Sequence, residues 1–341
     1  MGVPLVVTQQ VGANDDVLFD GCSRVFDSTG GNLARLKAFE EDFRVVDVDG
    51  GADSDAPERA VDDAEELRRA LVMGIRGYFH KTGFTHAHIG LSGGVDSGVT
   101  LCLAVDALGA DKVKAVAMPG PYSAPISLED AKAQADALGV EIATIPIGPP
   151  YDSFLAALAP ELAGLPQDVT EENLQSRTRG TILMALSNKL GSLVLATGNK
   201  SEMAVGYATL YGDMNGGLAV LSDVWKTRVY ELARLDLAEG KIPRRTVERP
   251  PSAELAPDQK DTDSLPPYDD LDTILRLRIE EGRSLREIVA TGLDADVVER
   301  VLRLVEIAEY KRRQMAPGLK VTPTAFGVGW RMPIARPIDL R

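Results

Sequence analysis

The sequence is poor in features that define several classes of protein. Its 341 residues include only two cysteines, Cys22 and Cys102, too few for a disulfide framework, which indicates a reducing compartment. No run of about 18 apolar residues is long enough for a membrane span, and the first residues lack the basic region of a secretory signal. Acidic residues outnumber basic ones, 51 against 37, which disfavours non-specific binding to nucleic acid. We therefore expect a cytoplasmic protein that binds neither membranes nor nucleic acid.

Apolar residues make up 44% of the chain and charged residues 26%, a composition that can build a sizeable folded core. Three regions differ in pattern. Residues 1–48 alternate short β-type runs with turn signals, residues 49–57 are small, polar and acidic like a linker, and residues 58–341 form the main domain. The first region resembles strands of an incomplete sheet, so we expect it to be poorly ordered or to pair with another chain.

The main domain alternates helical periodicity with short buried-strand patterns, which is typical of a parallel sheet covered by helices on both faces. The predicted strands are 87–91, 113–118, 142–147 and 193–196, and the predicted helices include 97–108, 128–138, 171–189, 270–281 and 294–313. His86 and His88 on the first strand have no third metal ligand nearby, and we interpret them as surface or edge histidines. The pattern predicts a doubly wound α/β fold whose ligands bind beyond the carboxyl ends of the strands.

A glycine-rich loop follows the first predicted strand directly, with the sequence Ser92-Gly93-Gly94-Val95-Asp96-Ser97. A strand, a glycine turn and a helix start form an anion site, because backbone N–H groups and the helix dipole point at the ligand. No lysine closes the loop as it does in Walker sequences. Asp96 would instead repel phosphate unless a divalent cation lies between them, so the loop predicts Mg²⁺ bridging Asp96 to a polyphosphate.

This loop resembles the pyrophosphate loop of the N-type ATP pyrophosphatases, which cleave ATP between its α and β phosphates and activate a carboxylate or carbonyl as an adenylate. The resemblance implies a sheet of the adenine-nucleotide α-hydrolase type. Taken alone, the loop leaves GMP synthetases, asparagine synthetases, argininosuccinate synthetases and tRNA-thiolation enzymes open.

Further segments narrow the family. They are Glu172 to Gly180 (ENLQSRTRG), Ala196 to Glu202 (ATGNKSE), Tyr211 to Asp213 (YGD), Trp225 to Thr227 (WKT), Arg249 to Leu255 (RPPSAEL) and Glu309 to Arg313 (EYKRR). In this order they resemble the NAD synthetases over about residues 58 to 341. The resemblance implies an ATP- and Mg²⁺-dependent ligase that adenylates nicotinic acid adenine dinucleotide (deamido-NAD) and lets ammonia displace AMP, the last step of NAD biosynthesis.

The resemblance also implies roles for individual residues. Asp96 and Glu202 would hold Mg²⁺ and, with Lys226, form the catalytic set. The implied ATP contacts are Gly90, Leu91, Ser92, Gly93, Gly94, Val95, Asp96, Ser97, Thr197, Lys226 and Ser252, and the implied deamido-NAD contacts are Asn173, Arg177, Glu202, Tyr310 and Lys311. Two positions differ from the smaller ammonia-using relatives. In those relatives we expect a lysine where this chain has Leu210 and an aspartate where it has Gly217.

Residues 3–43 resemble the end of the nitrilase-like glutaminase domain of glutamine-dependent NAD synthetases. The catalytic Glu, Lys and Cys of that domain are expected upstream, and Cys22 at a turn is no substitute. The resemblance thus implies ammonia as nitrogen donor for this chain, and a homodimer or larger homo-oligomer. Two alternatives stay open: another ATP pyrophosphatase acting on a purine or an amino acid, and a non-catalytic nucleotide-binding protein.

Overall fold

The computed structural model describes residues 2–49, 62–257 and 259–338, so residues 50–57 of the predicted linker lie outside the described part. Its strands are β1 (Leu5–Val7), β2 (Val11–Asn14), β3 (Val17–Asp20), β4 (Arg24–Phe26), β5 (Asn32–Arg35), β6 (Ala87–Gly90), β7 (Val113–Ala117), β8 (Glu141–Thr144), β9 (Leu193–Ala196) and β10 (Leu218–Ala219). Its α-helices are α1 (Asp63–Thr82), α2 (Val95–Leu108), α3 (Pro125–Leu138), α4 (Gly148–Leu158), α5 (Val169–Leu190), α6 (Lys200–Val205), α7 (Lys226–Ala238), α8 (Arg244–Glu248), α9 (Tyr268–Ile279), α10 (Leu285–Val289), α11 (Ala295–Ile307) and α12 (Glu309–Arg312).

The five strands β6 to β10 form one parallel sheet in the order β10-β9-β6-β7-β8. The chain builds outward from β6 through β7 and β8, then returns to the other side of β6 to add β9 and β10. The carboxyl ends of β6 and β9 therefore border the point where the winding direction changes, which is where ligands bind in such sheets. The predicted doubly wound α/β fold is confirmed.

Helices cover both faces of this sheet because its central strands are apolar on both sides. All four residues of β9 are buried, as are the first three of β6. Helix α2 packs on β6 and β7 and also contacts α1 and α7, while α5 packs on β6 and β9. The interpretation of His88 as a surface or edge residue is wrong, since its side chain is 1% exposed in the central strand and bonds Ser192 Oγ through Nδ1.

A second apolar cluster joins α6 to α9, α10 and α11. Leu271 and Ile274 of α9 and Val298 and Val301 of α11 have no measurable exposure. Burying each such side chain contributes about 1.5–3 kcal/mol. This cluster fixes the short helix α6, which carries Glu202, against the longer helices that follow it in the chain.

The sequence predicts that the N-terminal region is poorly ordered or pairs with another chain, but in the described residues its strands pair with one another instead. Strands β1, β4 and β5 form an antiparallel sheet, and β2 pairs with β3. The β2–β3 hairpin packs on α1, where Lys81 Nζ donates to the Ala13 carbonyl and to Asn14 Oδ1. Val3 and Val6 remain more than 60% exposed.

The single helix predicted over 294–313 is interrupted at Ala308, where ψ is −4°. Lys311 N donates to the Ala308 carbonyl three residues earlier, which tightens the turn. Buried Glu309 accepts from Arg312 and Arg313 and holds the new direction. The prediction of one continuous helix is therefore wrong. In the described ranges, no helix combines the length and the apolar character that crossing a membrane requires.

Candidate active site

The glycine loop lies between β6 and α2 and is held by its own serines. Ser97 Oγ donates to the Gly94 carbonyl and accepts from Ser92 N at 3.2 Å, and Gly94 N donates to Ser92 Oγ at 3.1 Å. Gly93 has φ +81°, and a Cβ there would lie 2.2 Å from the Ser127 carbonyl oxygen. Only glycine fits this position, since both the left-handed backbone and the close approach exclude a side chain.

Three of the predicted site residues meet at the carboxyl ends of β6 and β9. Lys226 Nζ donates to Asp96 Oδ2 at 2.5 Å and to Glu202 Oε1 at 3.2 Å. Asp96 lies in the first turn of α2, Glu202 in the first turn of α6, and Lys226 is the first residue of α7. The two carboxylates therefore share one cation, and three helix N-termini converge on the same place.

Asn199 joins the two carboxylates and was not singled out from the sequence. Its Nδ2 donates to Asp96 Oδ1 at 2.8 Å, and its Oδ1 accepts from Glu202 N at 3.0 Å. Glu202 reaches back to Asn199 N, which completes a capping box at the start of α6. The spacing of Asn199 and Glu202 is a sequence signal for such a box, so this residue could have been found.

Burial and mutual charge set the protonation of this cluster. Burial raises the pKa of Glu202 to about 8, and the nearby Asp96 adds to this while Lys226 opposes it. Burial also disfavours the charged form of Lys226, but the carboxylates of Asp96 and Glu202 outweigh it and raise the pKa of Lys226. The lysine therefore stays cationic at neutral pH, and Glu202 is poised between its protonated and ionised forms.

Another group of the predicted residues surrounds the segment 206–210. Lys311 Nζ donates to the carbonyls of Gly206 and Ala208, both at 2.6 Å. Arg177 Nε donates to the Leu210 carbonyl at 3.2 Å, and Asn173 Oδ1 accepts from Thr209 Oγ1 at 2.8 Å. The structure thus brings Asn173, Arg177 and Lys311 together around one backbone segment, on helices α5 and α12.

Asp213 supplies negative charge to this second group. Its carboxylate accepts from Thr209 N at 2.7 Å, and burial raises its pKa to about 6. Burial lowers the pKa of Lys311, Asp213 opposes that shift, and Arg177 adds to it. Tyr310 is 40% exposed on the same surface, where Gln314 bonds both its carbonyl and the Tyr211 hydroxyl.

Leu210 and Gly217, the two positions that differ from the smaller relatives, have different surroundings. The carbonyl of Leu210 accepts from Arg177, so this position contributes through its backbone. A Cβ at Gly217 would lie 2.2 Å from Leu193 Cδ1, so an aspartate does not fit at this point of the sheet.

The positions of Thr197 and Ser252 relative to the site follow from the strand and the loop that carry them. Thr197 follows β9 immediately, at the edge of the sheet where Asp96 and Glu202 lie. Ser252 Oγ donates to the Gln259 carbonyl, and its loop is tied to the glycine loop through Glu254, which accepts from Ser127 Oγ at 2.5 Å. Since the Ser127 carbonyl borders Gly93, the loop of Ser252 reaches the same region.

A glycine loop at the switch point of a parallel sheet, followed by two carboxylates that share a lysine, defines a class of α/β nucleotide-binding protein. A family model described as NAD synthase matches residues 67–315. The chain belongs to the NAD synthase family, as the sequence resemblance predicts.

Individual relatives agree with this assignment. The glutamine-dependent NAD(+) synthetase of Synechocystis sp. is 50% identical over 98% of this chain. A structure of glutamine-dependent NAD+ synthetase from Acinetobacter baumannii in complex with ADP has a TM-score of 0.68 at 44% identity over 98% of this chain. The NMN synthetase structure from Francisella tularensis has a TM-score of 0.64 at 27% identity and covers 77% of this chain and 99% of its own.

The chain spans about three fifths of the length of the glutamine-dependent relatives, 61% of the Synechocystis protein and 62% of the Acinetobacter chain. Because they cover 98% of this chain, these matches extend beyond the main domain into the region of the N-terminal strands.

Proposed function

We propose that this chain catalyses the synthetase reaction of NAD synthesis. ATP and deamido-NAD form an adenylate and pyrophosphate, and ammonia then displaces AMP to give NAD. The sharing of the Lys226 ammonium between Asp96 and Glu202, beside the glycine loop, is the observation that carries the proposal. It supports a site built for a polyphosphate and a cation rather than a simple glycine turn.

The donor set suits Mg²⁺ in this proposal. Asp96 and Glu202 already place one oxygen each around a cation, the Lys226 ammonium. In the described residues no third acidic, histidine or cysteine side chain joins them, so phosphate oxygens and water would complete the ligand shell. When bound, the ion would neutralise the charge of the phosphates and polarise the α-phosphorus.

The chain's own groups hold and orient the nucleotide. We assign the glycine loop, Gly90 to Ser97, to the phosphates, with Thr197, Lys226 and Ser252 as further ATP contacts. Lys226 neutralises the charge that develops on the leaving pyrophosphate, a role that its raised pKa supports because the ammonium stays protonated. The substrate carboxylate attacks the α-phosphorus, the bond to the β-phosphate oxygen breaks, and pyrophosphate leaves.

The group around segment 206–210 is assigned to deamido-NAD. Arg177 and Lys311 supply positive charge for its phosphates or carboxylate, Asn173 a polar side chain, and Tyr310 an exposed aromatic face. The Glu202 side chain bonds Lys226 and its carbonyl accepts from Tyr207 N at 2.9 Å, so we propose that Glu202 contacts both the metal and this substrate. In the second step ammonia attacks the activated carbonyl carbon and AMP leaves with the carboxylate oxygen.

Ammonia is the proposed nitrogen donor for the chain as given, and residues 1–48 are proposed as the end of a glutaminase-like domain. Cys22 is not assigned a catalytic role: it lies on a turn with φ +55°, and its Sγ accepts from Arg35 Nε and Nη2 at 3.4 and 3.3 Å. No general base is seen among those bonds. Replacing ammonia by glutamine in the assay tests this part, and equal turnover with glutamine would contradict it.

The domain division 1–48, 49–57 and 58–341, and a homodimer, are further proposals that rest on the family resemblance. Sedimentation of the purified chain at several concentrations tests the dimer, and a single monomeric species throughout would contradict it.

A second candidate substrate is a mononucleotide. The Francisella neighbour, named for NMN synthesis, shares the fold over 77% of this chain. The dinucleotide is favoured here because the relatives that match 98% of the chain are named for NAD.

The direct test incubates the protein with ATP, Mg²⁺ and ammonia, with either deamido-NAD or its mononucleotide analogue. We expect NAD to form, with kcat/KM at least about tenfold higher for the dinucleotide, a difference of about 1.4 kcal/mol in transition-state stabilisation. Formation of the mononucleotide amide alone would favour the second candidate. No amide with either substrate would refute the proposal.

A further inference from the structure

Helix α7 begins without a side-chain cap of its own. Its N-cap, Trp225, makes no capping hydrogen bond. The first two N–H groups of the helix bond to side chains from other helices instead: Lys226 N donates to Ser201 Oγ at 2.9 Å, and Thr227 N donates to Asp272 Oδ2 at 2.9 Å. Such N–H groups have no partner within their own helix, so these two bonds replace the missing cap.

Asp272 connects the three helices involved. It lies on α9 with its side chain 3% exposed, and its Oδ1 accepts from Ser201 Oγ at 2.5 Å. One carboxylate therefore bonds α6 through Ser201 and α7 through Thr227. A negative charge at the start of α7 also interacts favourably with the helix dipole.

We propose that Asp272 is a positioning residue for Lys226, and through it for the phosphate end of the site. Ser201 immediately precedes Glu202, and Thr227 immediately follows Lys226. The carboxylate therefore holds the Ser201 hydroxyl, which accepts from Lys226 N, and the backbone N–H of Thr227. Asp272 contacts neither Asp96 nor the Lys226 ammonium among its hydrogen bonds. This role rests on the proposed function, in which Lys226 neutralises the leaving pyrophosphate.

Lys200 provides an internal comparison, because it is also a buried lysine at the first position of a helix. Its ammonium bonds Asp223 at 2.9 Å, Glu280 at 3.1 Å and Thr322 Oγ1 at 2.6 Å. None of these partners is Asp272. Although Ser201 follows it directly, Lys200 donates from its backbone N to the Val224 carbonyl at 2.9 Å, whereas Lys226 N depends on Ser201. Loss of the Asp272 carboxylate should therefore release Lys226 and leave Lys200 in place.

The experiment compares wild type with Asp272→Ala and Asp272→Asn in the full chain. Reductive methylation followed by mass spectrometry measures the reactivity of each lysine without any substrate. We expect Lys226 to react at least about tenfold faster in the alanine variant while Lys200 stays protected. The asparagine variant keeps an acceptor oxygen, so its Lys226 should react at an intermediate rate.

Kinetics give the second readout. In Asp272→Ala we expect kcat to fall by about 10²-fold with KM for deamido-NAD within about threefold of wild type, because a displacement of about 1 Å costs that much. Asp236→Asn is the matched control, a buried carboxylate at the far end of α7, and should leave kcat unchanged.

Two results would overturn the proposal. In one, Lys226 stays protected and kcat stays at the wild-type value in Asp272→Ala. In the other, Lys200 and Lys226 react equally in both variants, which would show that Asp272 only holds the fold. A wild-type protein without NAD synthesis would instead refute the proposed function, and the labelling pattern would still decide whether Asp272 holds Lys226.

Discussion

The Lys226 ammonium lies 2.5 Å from an Asp96 carboxylate oxygen, although the residues are 130 positions apart in the chain. Glu202 completes the arrangement at 3.2 Å on the same ammonium. The parallel sheet explains this meeting, because β6, β9 and β10 are adjacent and the helices that carry Asp96, Glu202 and Lys226 follow them at the same edge. The arrangement gives a buried lysine that is matched by two acids, and a position where a cation is already favoured.

Replacing Lys226 by methionine should damage both stability and activity. The change leaves the partly buried Asp96 and Glu202 side chains without their shared ammonium partner, which should cost about 1–3 kcal/mol of unfolding free energy. Loss of the charge at the leaving group should lower NAD formation by at least about 10²-fold. Urea unfolding and product assays measure the two effects, with the exposed Lys132→Met as control. Wild-type turnover in Lys226→Met would remove it from the catalytic set.

The raised pKa of Glu202 predicts a pH dependence of stability. Burial raises this pKa to about 8 from the ordinary value of 4.5, so the folded state holds the proton more tightly than the unfolded chain. The contribution of Glu202 to the unfolding free energy is therefore largest below pH 4.5 and decreases as pH rises towards about 8. Denaturant unfolding from pH 5 to 8.5 measures the unfolding free energy of wild type and of Glu202→Gln. As pH rises, the wild type should lose stability relative to the variant. A difference independent of pH would contradict this environment for Glu202.

Gly93→Ala should disrupt the glycine loop. The new Cβ would meet the Ser127 carbonyl at 2.2 Å in a backbone conformation that alanine rarely adopts. We expect ATP affinity, measured by calorimetry, to fall at least about tenfold, because the N–H groups that bind phosphate would be displaced. Gly148→Ala is the control, since a Cβ there meets nothing within 4 Å and φ is not positive. Equal ATP affinity in both variants would argue against phosphate binding by this loop.

Lys311→Met should weaken the binding of deamido-NAD without weakening that of ATP. Its ammonium bonds the Gly206 and Ala208 carbonyls and interacts with the charge of Asp213. We expect KM for deamido-NAD to rise about tenfold or more while KM for ATP changes less than about threefold. The exposed Lys189→Met on α5 serves as control. A rise confined to the KM for ATP would contradict the assignment of Lys311 to deamido-NAD binding.

Much of the fold could be predicted because the apolar patterns are strong. The strand 193–196 matches β9 to the residue, and α2 begins two residues before its predicted start. The resemblance implies that Asp96 and Glu202 belong to one site, and the structure brings both carboxylates to the Lys226 ammonium. Sequence resemblance identified the family that the comparisons confirm.

The rest depends on contacts between distant segments. His88 was misplaced because alternation on a central parallel strand does not produce an exposed face. The break at Ala308 depends on the buried bonds of Glu309 with Arg312 and Arg313, which helical periodicity does not encode. The bond from Thr227 to Asp272 spans 45 positions, so no local pattern predicts that α9 caps α7.

The origin of the oxygen in AMP tests the central claim most directly. Deamido-NAD labelled with ¹⁸O in its carboxylate is incubated with the protein, ATP, Mg²⁺ and ammonia, and the products are analysed by mass spectrometry and ³¹P NMR. With both carboxylate oxygens labelled, the proposed adenylate requires one labelled oxygen in AMP and the other retained in the amide of NAD. Pyrophosphate should be unlabelled and formed in the same amount as NAD. Label in orthophosphate, together with ADP, would contradict cleavage between the α and β phosphates and with it the proposed role of Asp96, Glu202 and Lys226.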